Sequence, residues 1–164
     1  MGAGRIAKAT AILCAMLSLA ACGSLGFPPK PVAQVPPPAL DVARYQTFAM
    51  APPTGVPGNL GDAYLRQMYI RARQEGLNFP TTPDTKTNYL IKTHMNAVGD
   101  DSGSTVYYIV DIYDSDGRRA TRIVGHEAAG GTYSDPWSGA STGTMTTIAL
   151  KAMFSVSAWL FSGR

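Results

Sequence analysis

The chain has 164 residues, and its 14 Lys and Arg against 11 Asp and Glu give a formal net charge of +3. Arg5 and Lys8 stand in the first 21 residues; without that segment the balance is 12 against 11, too even to offer a footprint for nucleic acid. The two cysteines are Cys14 and Cys22, so everything beyond residue 22 lacks a thiol for a disulfide, a thiolate metal site or a nucleophile, and its stability has to come from packing.

Arg5 and Lys8 supply the positive start of a secretory signal, and the run from Ala9 to Leu19 has the length of its apolar core, too short to span a bilayer. The run closes on Leu19-Ala20-Ala21-Cys22. An aliphatic residue, two small residues and a cysteine in this order resemble the lipobox of bacterial lipoproteins. The resemblance implies cleavage between Ala21 and Cys22, a diacylglycerol on the Cys22 sulfur, and acylation of the new amino terminus. With about 0.8 kcal/mol per buried methylene, more than one chain makes a lasting membrane anchor. Gly23 and Ser24 follow, neither being the aspartate that resembles an inner-membrane retention signal, which favours the outer membrane with the domain facing the periplasm. The expected division is a signal over 1–21, an acylated cysteine and tether over 22–41, and one domain over 42–164.

Six of the twelve residues from Phe27 to Pro38 are proline, a composition that excludes helix and favours an extended spacer. At about 3.1 Å per residue, the stretch from Gly23 to Asp41 reaches up to roughly 60 Å. Beyond it, Arg44 to Ala51 is β-prone and stops at Pro52-Pro53. Leu60 to Glu75 sets Leu60, Tyr64, Leu65, Met68 and Ala72 at helical spacing, with Gly76 as a C-terminal cap. Asn88 to Val98 and Thr105 to Asp114 read as strands joined by the turn-forming Gly99–Ser104.

Asp116-Gly117 reads as a type I′ hairpin turn into a strand from Arg119 to Ala129. With these two as the loop, Asp111 faces Arg122, Asp114 faces Arg119 and Tyr107 faces His126. The opposite face then carries Val106, Tyr108, Val110, Ile112 and Ile123, toward the helices. After a loop plugged by Trp137, a helix runs from Thr142 to Phe161. Met145, Ile148, Ala149, Ala152, Val156 and Trp159 mark one face, and only a narrow polar stripe around Lys151 relieves the rest. Lys151 and the scattered Ser and Thr argue against a membrane span.

The element order β-α-β-β-β-α predicts an α+β fold, a four-stranded, mainly antiparallel sheet with two helices on one face. Motifs for chemistry fall short. His126-Glu127 begins like a zinc-protease helix, but the second histidine position is Gly130, and a strand sends the two side chains to opposite faces. Asp114-Ser115-Asp116-Gly117 starts like a calcium loop whose closing glutamate position is Ile123. Ser138 and Ser141 sit in no nucleophile elbow and read as exposed serines. The expectation is therefore a non-enzymatic envelope accessory protein without cofactor or metal, meeting a protein partner. Candidate contacts are Tyr107, Tyr113, Arg122, Trp137 and Trp159. The alternatives are a small-ligand or lipid-binding module with an apolar pocket between the last helix and the sheet, and a cell-envelope hydrolase.

Overall fold

The computed structural model describes residues 35–37, 45–80, 86–131 and 134–162. The signal segment, Ala21, Cys22 and the tether residues other than 35–37 lie outside the described residues. The elements are β1 (Phe48–Met50), α1 (Gly58–Gln74), β2 (Tyr89–Asp100), β3 (Gly103–Asp114), β4 (Arg119–Ala129) and α2 (Thr142–Leu160). They form the α+β fold expected, with sheet order β1-β2-β3-β4. β1 runs parallel to β2, because α1 lies in the connection between them, and the two later pairs are antiparallel.

Chemistry shortens β1. Ala51 N donates to Ile91 O at 2.9 Å and Thr54 N to Thr93 O at 3.0 Å, so the chain continues along β2 past Met50. Pro52 and Pro53 between them have no N–H to give, and the ladder skips them. On its other side β1 is covered, since Phe48 N donates to Asn78 O at 2.9 Å and Thr47 bridges Asn78 in parallel.

α1 buries Leu60, Ala63, Tyr64, Met68 and Ala72, while Leu65 stays half-buried. It ends in a two-bond cap. Gly76 N donates to Arg73 O at 3.2 Å and Leu77 N to Ala72 O at 2.9 Å, with Gly76 at φ 72°, the left-handed conformation that costs glycine least. Leu77 then folds into the core.

The strands alternate strictly. Ile91, Thr93 and Met95 of β2 and Val106, Tyr108, Val110 and Ile112 of β3 turn to the face that holds the core. Both helices pack on this face. From α1, Tyr64 Oη shares a 3.0 Å hydrogen bond with Thr93 Oγ1, which satisfies two buried hydroxyls, and burial pushes the Tyr64 phenol up. From α2, Lys151 Nζ donates to Glu127 Oε2 at 2.6 Å. α2 itself buries Met145, Ile148, Ala149, Ala152, Met153, Val156 and Leu160. Ser141 has a role beyond that of an exposed serine: its Oγ accepts from Thr144 N at 3.3 Å and its N–H donates to Thr144 Oγ1 at 3.2 Å, a capping box that starts α2. Among the described residues no helix is long and apolar enough to cross a membrane.

The β3–β4 turn corrects one expectation. Gly117 N donates to Asp114 O at 3.0 Å and Asp114 N to Arg118 O at 2.9 Å, so the loop is Ser115, Asp116 and Gly117 rather than two residues. Gly117 at φ 77° closes a turn of the three-residue kind, which calls for the same glycine as type I′. Asp114 therefore faces Arg118, and their side chains pair at 2.9 Å, while Arg119 lies opposite Tyr113. A bulge at Ala120 then restores the expected register from Ile112↔Thr121 onward, including Asp111↔Arg122 and Tyr107↔His126.

At the β2–β3 turn, Asp100 Oδ1 accepts from Ser102 Oγ at 2.5 Å and Ser102 N at 2.8 Å. These bonds hold the Asp100 carboxyl below its ordinary range. A depressed carboxylate adds stability above its unfolded pKa and loses it as pH falls through the folded value. Replacing Ser102 by Ala is expected to raise the Asp100 titration midpoint toward the ordinary value and to shrink this acid-side loss. An NMR titration of both proteins reads the shift directly.

Candidate interaction face

With both helices on one side, the other face of the sheet is built by the residues between the core positions. Five rows cross β2, β3 and β4: Lys92–Asp111–Arg122, His94–Ile109–Val124, Asn96–Tyr107–His126, Val98–Thr105–Ala128 and, beyond the bulge, Leu90–Tyr113–Arg119. The register alone sets these neighbours.

The first row is the most ordered. Arg122 Nε and Nη2 donate to the two Asp111 oxygens at 2.7 and 2.6 Å, a bidentate pair, and Arg119 Nε stands 3.8 Å from Asp111 Oδ1. Asp111 is only 9% exposed. Lys92 Nζ lies 5.0 Å from the Tyr113 ring centroid, over its face. Arg122→Ala is expected to cost about 1–2 kcal/mol, because it leaves a nearly buried carboxylate with Arg119 as its remaining neighbour. Arg122→Lys should recover less than half of that, since an ammonium cannot make the two-point contact. Urea denaturation of the three proteins checks both numbers.

Farther along, the Tyr107 ring meets His126 at 5.9 Å and is 50% exposed, while Val98 and Val124 stand out at 53% and 69%. The β1–α1 connection overhangs β2, where Thr54 Oγ1 and His94 Nδ1 share a 3.0 Å hydrogen bond. Under it lies a shallow depression of about 200 Å³ lined by Pro52, Thr54, Lys92, His94, Asp111 and Tyr113. His94 and Asp111 thus border one hollow, but the Asp111 oxygens are taken by Arg122 and His94 Nδ1 by Thr54. His126 and Glu127 point to opposite faces, Glu127 going to Lys151. Among the described residues no three His, Cys, Asp or Glu side chains form a group able to hold a metal.

Of the five candidate contacts, the structure brings Tyr107, Tyr113 and Arg122 together on this face. Trp137 and Trp159 are not part of it. Both are half-buried against the core, with Trp159 meeting the Tyr89 ring edge-on at 5.3 Å. The surplus apolar surface of α2 is instead Leu150 and Phe154, with Phe161 just past its end. Val98, Ile109 and Val124 also belong to the face and were findable, since strict alternation puts them beside Arg122 and Tyr107. On α2, Met145, Ile148, Met153 and Val156 are fully buried in the core.

No protein-family model matches the sequence, and no curated protein matches it either. Solved structures do. A PelC dodecamer from Paraburkholderia phytofirmans is similar at 17% identity and a TM-score of 0.50, over 76% of this chain and 93% of that one. A lipoprotein from Neisseria meningitidis, GNA1162, is 13% identical with a TM-score of 0.44, over 69% and 96% of the two chains. Protein XCC0632 from Xanthomonas campestris is 12% identical with a TM-score of 0.42, over 73% and 88%. At such identities the likeness to PelC is one of fold.

Proposed function

We propose that this chain is a non-enzymatic accessory lipoprotein of the bacterial cell envelope, anchored in the outer membrane through Cys22 and presenting its domain to other proteins in the periplasm. The observation that carries the reading is the open sheet face. A sheet whose two helices share one side leaves Tyr107, Tyr113, Ile109, Val98 and Val124 on the other, with Asp111 and Arg122 holding that surface in shape. An exposed face of aromatic and aliphatic groups around a fixed ion pair suits a protein contact. The exposed Leu150 and Phe154 of α2, with Phe161 just past its end, offer a second apolar surface.

The anchor rests on Leu19-Ala20-Ala21-Cys22. PelC, which has this fold, forms a dodecamer, which supports reading the fold as one that meets other chains. The engagement of Asp111 and His94 supports a role without catalysis.

Two measurements test the reading. Labelling cells with a fatty-acid probe should mark the chain, and Cys22→Ala should abolish the mark; a labelled Cys22→Ala protein refutes the anchor. Crosslinking in intact membranes through residues of the open face should give adducts larger than the chain. Recovery of the single chain alone counts against the accessory role.

A further inference from the structure

The two edges of the sheet differ. β1 is three residues long and its outer side is taken by Asn78. β4 is eleven residues long, and among the described residues no strand lies on its outer side. An edge of that length is a template for pairing, and folded chains ordinarily guard such edges with lysine, proline or a covering segment. From Thr121 to Ala129 the strand has neither lysine nor proline. Its one bulge, at Ala120, lies at the end and leaves the rest regular.

We propose that β4 pairs edge to edge, antiparallel, with β4 of a second copy of this chain, about a two-fold axis through Val124. Three observations select this occupant and this register. Val124 is the middle residue of Arg119–Ala129, so a two-fold there pairs the whole strand with itself. It is also the most exposed large apolar residue of β4, at 69%, and on the axis it packs against its own copy. From Thr121 to Glu127 the parity is right, because residues directly opposite in an antiparallel pair share a face, and this register sets open-face residues opposite open-face residues there.

The rows then run on through both copies. The central row becomes His94, Ile109, Val124 and the same three residues in reverse. The next sets Arg122, already held by its own Asp111, beside His126 and Tyr107 of the second copy, an imidazole and a ring face for the guanidinium. Glu127 falls opposite Thr121, so no two like charges of fixed sign meet across the seam. A foreign strand would satisfy the edge, but nothing would place its own apolar residue at the middle. The pairing does not depend on the anchor, so it stands or falls separately from the acylation of Cys22.

The test is disulfide trapping of the full chain, purified from membranes in detergent. Opposed residues of an antiparallel pair lie within the span of about 4.4–6.8 Å between Cα atoms that a disulfide bridges. Val124→Cys is exposed enough to leave the fold intact, and Val98→Cys puts a half-exposed thiol on β2, away from β4. Under mild oxidation Val124→Cys should give covalent dimer about tenfold above both the parent chain, which sets the background, and Val98→Cys. Equal trapping at the two positions, no dimer above the parent, or a disulfide from residue 124 to a different protein overturns the proposal. As an independent readout, Val124→Arg should shift the detergent-solubilised mass from two chains to one; a parent of one-chain mass overturns it as well.

Discussion

Gly55→Ala is expected to lose about 3 kcal/mol of stability, a large share of the 5–15 kcal/mol a domain usually has. Gly55 holds φ 75°, and a Cβ there would run into the carbonyl oxygen of Met95 and stand 2.9 Å from Cε1 of His94. The left-handed conformation costs an alanine about 1–2 kcal/mol, and overpacking against backbone adds about 1–3 kcal/mol. Met95 O cannot swing aside, since it belongs to β2, which is paired to β3 on its far side. Gly76→Ala separates the two contributions. Gly76 has almost the same φ, 72°, but nothing lies within 4 Å of where its Cβ would be, so that variant should lose only the conformational part, about 1–2 kcal/mol. Urea midpoints measured side by side decide it. Equal losses at the two positions would show that the β1–α1 connection gives way and that the overhang above His94 is soft.

Gly125→Val should be comparably damaging for a different reason. Gly125 sits in a strand opposite Tyr108, and a Cβ would fall inside the contact envelope of Cζ and Oη of that tyrosine. Tyr108 is buried, and its desolvated phenol, pushed up in pKa, lies within the fields of Lys151 and Glu127. The glycine is the hollow that receives the ring end. Filling it forces a large side chain out of the core at about 2–3 kcal/mol. Tyr108→Val made alone is also harmful, through the cavity it leaves. In the double variant the two changes should compensate, so that the combined loss falls short of the sum by about 1 kcal/mol or more. Additivity in thermal denaturation would mean that the two residues do not share this space.

Much of the fold was legible because period and punctuation agreed. The alternation of Val106, Tyr108, Val110 and Ile112 named the core face of β3, and the turn read at Asp116-Gly117 set Asp111 opposite Arg122, a pairing that the bulge at Ala120 preserves. Gly76 marked the end of α1 and Lys151 excluded a membrane span. The turn after Asp114 was misread for a physical reason. A glycine with positive φ serves a two-residue and a three-residue loop equally, and the bulge at Ala120 that absorbs the difference has no mark of its own in the sequence. The candidate face was half legible. Tyr107, Tyr113 and Arg122 follow from alternation, whereas the tryptophans drew attention by size, and size is as good a reason to be tucked against the core as to meet a partner. Whether Trp159 points outward depends on where Tyr89 stands, which no local pattern encodes.

The covering of β1 by Asn78 sets a limit on how these chains add together. A sheet with two bare edges can accept a neighbour on each side and grow without end, as fibres do. Here Phe48 gives its N–H to Asn78 on one side, which leaves β4 as the one strand bare along its whole outer side among the described residues, and a two-fold pairing spends that edge on both partners at once. Pairing through β4 therefore stops at two, with the dimer fraction levelling off as concentration rises, and any larger assembly of this chain has to be made through a surface other than that edge.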